Sequence, residues 1–279
     1  MSLSTPWPSL DWQAPWFAPW RGIGEPALAA LAGGASVPDA MNAVAPAGVP
    51  RFVSPDALPP DQAYESFVHD SRSVPSRDNL HDCFNAIVWC LYPDTKRQLN
   101  RWQAAAIARD GIAGRRGPLR DAITLFDENG AVFSAPPVLL DALRSRDWRA
   151  LFITHRQAWQ QARLWLFGHA LVEKLAAPRK DITAHVLCAQ QGLADIAQTD
   201  AWLLSTLDET LLSAKPFSPL PVLGVPGWWP VQDEAFYDDA KVFRPARPAN
   251  FSPYDGSHPQ PSQGSIKTTT PANLRNGAA

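Results

Sequence analysis

Residues 81–90, HDCFNAIVWC, and residues 93–103, PDTKRQLNRWQ, decide how this chain folds and carry most of its unusual polar residues. The first segment has one apolar face at helical spacing, formed by Phe84, Ile87, Val88 and Leu91. A second stripe recurs every fourth residue and consists of His81, Asn85 and Trp89. The two patterns predict a helix from about Asn79 to Leu91 that Pro93 ends.

The second segment predicts another helix, which PDT at 93–95 caps and which runs to about Arg109. On this helix Lys96, Asn100 and Gln103 fall on one side. Because the connection is so short, the two helices should lie against each other with their polar stripes face to face. Such a polar group either forms a satisfied network inside the core or lines a site that binds something.

Composition and charge exclude several classes of protein. The chain has 279 residues, of which 46% are hydrophobic and 19% charged, as in an ordinary globular protein. Its net charge of −2 provides no basic field for nucleic acid. The sequence has neither an apolar run of membrane-spanning length nor the pattern of a signal peptide. Three cysteines without zinc-type spacing indicate reduced thiols, so we expect a cytoplasmic protein.

The distribution of Pro, Trp and polar residues predicts three regions. Residues 1–24 are rich in Trp and Pro, which indicates an extended arm whose aromatic rings pack onto the body. Residues 25–247 should form a single globular domain. Residues 248–279 lose their apolar content and are predicted to be disordered.

Within the domain, the patterns predict an α+β fold that is mostly helical and has a small antiparallel sheet. RDAITLFDENGAVFSA (120–135) suggests a β-hairpin around the ENG turn. LWLFG (164–168) suggests a buried strand, and HALVEKLAAP (169–178) a helix that Pro178 ends. TDAWLLSTLDETLLSA (199–214) is predicted to form one amphipathic helix, and PLPVLGVPGWWP (219–230) an extended, proline-rich cover over the core.

Four blocks resemble the bacterial family called domain of unknown function 3025. They are YESFVHDSRSVPSRDNLHDCFNAIVWCLYPDTKRQLNRWQ (64–103), RDAITLFDENGAVF (120–133), LFGHALVEK (166–174), and LPVLGVPGWWP with AFYDDAKVFRP (220–245). The resemblance covers roughly residues 50–247. It implies one domain from the bacterial cytoplasm, with no known activity. The family signature that it implies is centred on His81, Asp82, Asn85, Lys96, Asn100, Asp127, Glu128, His169 and Glu173.

One constellation within these blocks has the chemistry of a metal site. His169 and Glu173 are four residues apart, so both project from the same side of a helix. His81 can supply a third ligand to a divalent ion, and Asp82 or Asp127 a fourth ligand or a general base. The alternative is structural, with Glu173 holding an imidazole ring or pairing with lysine, and Asp127 and Glu128 serving a turn.

Three functional hypotheses follow. The first is a hydrolase-like enzyme assisted by one divalent metal ion held by His81, His169 and Glu173, with Asp82 or Asp127 as the base. The second is a binding module whose cleft is lined by Asn85, Lys96, Asn100 and Gln103 and walled by Trp89, where the lysine favours an anionic small molecule. The third is a structural or interaction protein with a closed polar network and no cavity. Composition and spacing leave the reaction and the oligomeric state open.

Overall fold

The computed structural model describes residues 7–111 and 117–246, which contain both helices and strands. The α-helices in these ranges are α1 (Arg21–Ala32), α2 (Val37–Val44), α3 (Tyr64–Ser71), α4 (Leu80–Leu91), α5 (Pro93–Asp110), α6 (Pro118–Asn129), α7 (Pro137–Ser145), α8 (His169–Lys174), α9 (Ile196–Thr206), α10 (Glu209–Ser213) and α11 (Glu234–Tyr237). The strands are β1 (Arg51–Val53), β2 (Ser73–Pro75), β3 (Gly130–Ala135), β4 (Arg163–Leu166), β5 (Thr183–Gln190) and β6 (Ser218–Pro221). The prediction of a mainly helical α+β domain is confirmed.

The central sheet has the strand order β4-β3-β5-β6. Its inner strands β3 and β5 are parallel, while β4 and β6 pair with them in antiparallel orientation at the edges. Every residue of β3 is buried, as expected for a central strand covered on both faces. A separate pair, β1 with β2, is parallel. The sheet is therefore mixed, with the predicted antiparallel pairing at both edges and a parallel pair of strands at its centre.

The predicted β-hairpin over 120–135 is a helix followed by a strand. Pro118 lies in the first turn of α6, where its missing N–H costs nothing. Ala122, Ile123 and Phe126 are buried at helical spacing. Asn129 ends the helix and Gly130 begins β3, so the ENG segment ends a helix instead of turning a hairpin.

The two opening helices form α4 and α5, and Pro93 both ends the first and begins the second. The cap of α5 differs from the predicted local one. Asp200, which lies on α9, accepts hydrogen bonds from the backbone N–H groups of Asp94 at 3.0 Å and Thr95 at 2.9 Å. A buried carboxylate distant in sequence thus satisfies the first turn of α5 and joins two helices.

Replacing Asp200 with alanine is expected to lower the free energy of unfolding by about 2 kcal/mol, at the upper end of the cost of losing an N-cap. Asp208→Ala is a matched control, because Asp208 caps the short helix α10 from an exposed position. We expect the control to cost about 0.5 kcal/mol. Urea unfolding of both variants measures the difference, and equal losses would show that Asp200 is an ordinary cap.

Two helices predicted in the second half of the chain differ from the structure. The segment 199–214 is divided into α9 and α10 because Asp208 turns its side chain to the N–H of Leu211, which begins a new helix. The sequence DWRALFITHRQAWQQAR (147–163) also predicts a helix, but this segment forms a π-turn (Ala150–Thr154) and a 3-10 segment (Arg156–Gln161). The strand predicted at 164–168 and the helix after it are present as β4 and α8.

The N-terminal segment packs as its aromatic content predicts, although it is less extended than expected. Trp12 and Trp20 are buried, and α1 already begins at Arg21. The described residues up to Ala246 belong to one compact unit. The tail predicted to be disordered (248–279) lies outside the described residues. None of the helices within 7–111 and 117–246 combines the length and apolar character needed to cross a bilayer.

Candidate metal site

The candidate site lies where the ends of three helices meet, and the sheet explains why they do. Helix α6 runs directly into β3, and β4 runs into α8. These strands are antiparallel with Ala131 opposite Leu166, so the residues just before β3 lie beside those just after β4. Gly168 fixes this approach, because its N–H donates to the Gly130 carbonyl at 2.8 Å. The N-terminal turn of α4 completes the group with His81.

Two imidazoles and one carboxylate converge there. Nε2 of His169 lies 3.0 Å from Nε2 of His81, and 3.6 Å from Oε2 of Glu128. One ligand atom from each of these three residues lies within 4.8 Å of the other two. His169 is buried, whereas His81 and Glu128 are partly exposed. Imidazole nitrogen and carboxylate oxygen are ordinary ligands of divalent zinc, manganese and iron.

The hydrogen bond behind His81 directs the Nε2 lone pair of this ring toward His169. Nδ1 of His81 lies 2.8 Å from Glu173, and since a carboxylate only accepts, this nitrogen carries the proton. Nδ1 of His169 is buried, lies 3.8 Å from Oδ2 of Asp127 and has no hydrogen-bond partner among the described residues, so no hydrogen bond fixes the tautomer of this ring. His81 therefore presents its Nε2 lone pair to Nε2 of His169 across 3.0 Å. The contact is satisfied either by a proton on Nε2 of His169, which donates to His81, or by a cation between the rings.

The titratable side chains of this group have pKa values that are shifted in different directions. Burial lowers the pKa of His169 to about 4, so this ring stays neutral at neutral pH. Burial raises the pKa of Asp127, but Lys96 and His169 outweigh it and hold that pKa below its usual value. Lys96 donates to Oδ1 of Asp127 at 2.6 Å. Burial also raises the pKa of Glu128, which makes this the more basic of the two adjacent carboxylates.

A cavity of about 300 Å³ opens beside the converging atoms. Its walls include the three converging residues together with Tyr64, Asn85 and Gln103. Asn85 donates to the Tyr64 hydroxyl at 3.3 Å and accepts from Lys96 at 2.9 Å. Oε1 of Gln103 is buried without a hydrogen-bond partner among the described residues. The cavity therefore presents polar groups to whatever enters it.

Several predicted site residues have other partners. Asp82 accepts hydrogen bonds from the backbone N–H of Arg77 at 2.7 Å and from its guanidinium at 3.0 Å, so its carboxylate is already engaged. Glu173 holds Nδ1 of His81 and is absent from the converging ligand atoms. Asn100 donates to the Glu65 carbonyl at 2.8 Å and lines a different cavity. The single cleft expected between the polar stripes is thus divided in two.

Sequence reasoning gave Glu128 only a turn role and overlooked Tyr64. The turn interpretation followed from reading 120–135 as a hairpin. As part of α6, Glu128 instead lies one helical turn after Thr124, and both line the cavity. Helical periodicity in 118–129 was the signal that could have identified it. Tyr64 gave no comparable signal, because it reaches the cavity from α3.

Comparison with known proteins gives a family without an activity. No curated protein and no solved structure matches the chain. A sequence model described as "Protein of unknown function (DUF3025)" matches residues 50–247, which is more than half of the chain and includes every residue of the candidate site. The chain therefore belongs to the DUF3025 family.

Proposed function

We propose that this protein is a metal-assisted hydrolase whose single divalent cation is held by His81, His169 and Glu128. The observation that carries the proposal is the convergence of three ligand atoms within 4.8 Å of one another on the wall of a cavity. A cation between the imidazoles would be bound by the Nε2 atoms of both rings at once. It would also be bound by the Glu128 carboxylate, which has no part in a proton shared between the two rings.

The residues behind the ligands support a metal. Ligating histidines usually donate their second N–H to a carboxylate, which fixes the ring and increases its basicity. Glu173 does this for His81 at 2.8 Å, while Asp127 lies 3.8 Å from the corresponding nitrogen of His169, beyond hydrogen-bond distance. Glu173 and Asp127 are therefore positioning residues in this proposal, which replaces Glu173 by Glu128 as the third ligand.

The cavity supports a catalytic site over a structural one. Structural zinc sites are closed by four protein ligands, whereas catalytic sites have three and leave a position for water. A bound divalent cation supplies a water of lowered pKa, so no separate strong base is needed. Burial raises the pKa of Tyr64 above its usual value, which keeps the phenol protonated. Because its oxygen accepts from Asn85, its proton is free to be donated to a substrate oxygen.

The third hypothesis, a closed polar network, has less support because it predicts no cavity beside these residues. The cellular setting that we propose is the bacterial cytoplasm. Cys83 and Cys90 are buried free thiols, and Cys188 is a partly exposed free thiol. A reducing compartment preserves such thiols.

Elemental mass spectrometry of the purified full chain tests the proposal. We expect about one equivalent of zinc, manganese or iron, as a three-ligand site predicts. His169→Ala and Glu128→Gln should bind the metal at least tenfold more weakly, and Glu173→Gln roughly tenfold, as for other residues behind a ligand. His155→Ala is the control, since His155 lies outside the site. The metal-bound protein should hydrolyse a generic nitrophenyl ester or phosphate and lose that activity with a chelator.

Three results would contradict the proposal. A folded wild-type protein that is purified without metal, and that binds none of the three ions in a titration, would exclude the metal mechanism. A metal that stays bound in His169→Ala would place the ion elsewhere. A stoichiometric metal with no hydrolysis of either substrate would leave a metal site but remove the hydrolase.

A further inference from the structure

A second cavity, of about 650 Å³, lies between α3, α5 and the Gly48–Pro50 segment. Trp89 and Asn100 line it, which are two of the residues first expected in a single polar cleft. It shares no lining residue with the cavity beside His81 and His169. It is therefore a separate candidate site with its own chemistry.

The charged residues that line this cavity are mostly basic. Its wall includes Arg72, Arg97 and Arg101, with Asp94 as its acidic residue. Arg97 pairs with Asp94 and donates to the Gly48 carbonyl at 2.9 Å. Arg101 donates to the neutral amide of Gln98 at 2.8 Å.

Arg72 has no side-chain partner within the described ranges. It caps the end of α3 in the left-handed conformation, with φ of 54°. Arg72 and Arg101 thus line this cavity, and neither guanidinium group has a carboxylate partner among the described residues. A guanidinium presents paired N–H donors that match carboxylate and phosphate oxygens.

The cavity also has an apolar side. Val49, Val68 and Leu204 contribute to its wall, and Leu204 is 42% exposed although it is a large hydrophobic residue. Exposed leucine beside unpaired arginine is suited to a ligand that carries both an anionic group and an apolar group. A volume of about 650 Å³ is within the range of small-molecule sites.

We propose that this cavity binds a small organic anion, in which a phosphate or carboxylate group contacts Arg72 and Arg101 and an apolar portion contacts Leu204. The site is independent of the proposed metal centre. Trp89 lines the cavity, and Nζ of Lys96 lies 5.2 Å from the centre of its ring. Lys96 in turn holds Asp127, so the indole lies between the anion site and the polar group around the histidines.

Isothermal titration of the full chain with phenyl phosphate, benzoate and benzyl alcohol tests the proposal. At least one of the two anions should bind about tenfold more tightly than the neutral alcohol, since a charged hydrogen bond is worth that much or more. Phosphate preference would indicate phosphorylated ligands, and benzoate preference would indicate carboxylates. In Arg72→Gln/Arg101→Gln, binding of the preferred anion should weaken about tenfold or more.

Two matched variants separate this site from the metal site. Arg179→Gln removes an exposed arginine outside the cavity and should leave the affinity unchanged. His169→Ala should also leave it unchanged, even if metal binding is lost. The proposal is overturned if neither anion binds more tightly than benzyl alcohol, or if the double arginine variant, folded by circular dichroism, binds as the wild type does. Loss of anion binding in His169→Ala would assign the anion to the metal site and overturn it equally.

Discussion

Replacing Gly168 with alanine is expected to lower the free energy of unfolding by about 3 kcal/mol, the upper part of the usual cost of inserting one methyl group into a packed site. A Cβ atom at this position would lie 2.5 Å from the Glu128 carbonyl oxygen and 2.5 Å from the Asn129 nitrogen. Both are backbone atoms, so no side chain can rotate away. The backbone of Gly168 has φ −65° and ψ 119°, which alanine adopts freely. The cost is therefore one of contact alone.

The same substitution should damage the site. Gly168 precedes His169, and the atoms that the new methyl group would strike belong to Glu128 and its neighbour. Any shift that relieves the contact separates two of the three converging ligands. We expect the affinity for the divalent ion to fall at least tenfold, as for other changes just outside a metal's ligands.

Gly22→Ala is the matched control, because a Cβ atom there would meet nothing within 4 Å and the residue lies in α1. It should be neutral or stabilising by up to about 1 kcal/mol, the helix preference of alanine over glycine. Urea unfolding measures stability, and calorimetric titration with zinc measures affinity. Wild-type stability in Gly168→Ala would refute the argument that backbone contact between α6 and α8 sets this site.

The helices could be predicted where their signals are local. Pro93 and the apolar stripe of α4 predict the helix pair α4 and α5 from neighbouring residues alone. The cap of α5 could not be predicted, because Asp200 reaches it from about a hundred residues away in sequence. Such a contact leaves no pattern in the segment that it stabilises.

The central sheet was mispredicted for a related reason. The segment 120–135 has a plausible hairpin turn and also a helical spacing in Ala122, Ile123 and Phe126. Both edges of β3 are occupied, by β4 and β5, so no position beside it is left for a strand from residues 120–128. The residues of a segment can show the alternating pattern of a strand, but they do not indicate which other strands pair with it.

The candidate site shows the same limit at the level of single side chains. The spacing of His169 and Glu173 correctly places both on α8, but it does not say where each is directed. The structure brings Nε2 of His169 to His81, and Glu173 to the other nitrogen of that same ring. A helix-spacing argument cannot distinguish a ligand from a residue that holds a ligand. That distinction depends on α4, which packs against α8 from a distant part of the chain.

Replacing Lys96 with methionine is expected to lower the free energy of unfolding by about 3 kcal/mol, the lower part of the cost of breaking a buried ion pair. The Lys96 side chain is 6% exposed and that of Asp127 is 22% exposed, so water compensates the remaining carboxylate only in part. Methionine fills a similar volume beside Trp89 without the charge. Asn85 also loses the donor that it accepts from at 2.9 Å.

The pH dependence of this variant follows from the direction of the pKa shift of Asp127. In the wild type the folded pKa of Asp127 is held below its unfolded value, so its stabilising contribution is present above about pH 4 and is lost as the pH falls further. Without Lys96, burial should raise that pKa instead. The variant should then regain stability as Asp127 takes up a proton, and the difference from the wild type should narrow between about pH 7 and pH 4.

A double-mutant cycle with Asp127→Asn separates the ion pair from the volume change. Asparagine keeps an oxygen near Nζ but removes the charge that methionine leaves unpaired. Lys96→Met/Asp127→Asn should therefore be more stable than Lys96→Met alone, with a coupling energy of about 2 kcal/mol in metal-free protein. Additive losses at every pH would mean that Lys96 acts through packing on Trp89. In that case Asp127 would owe its position to α6 alone, and its role behind His169 would not depend on the lysine.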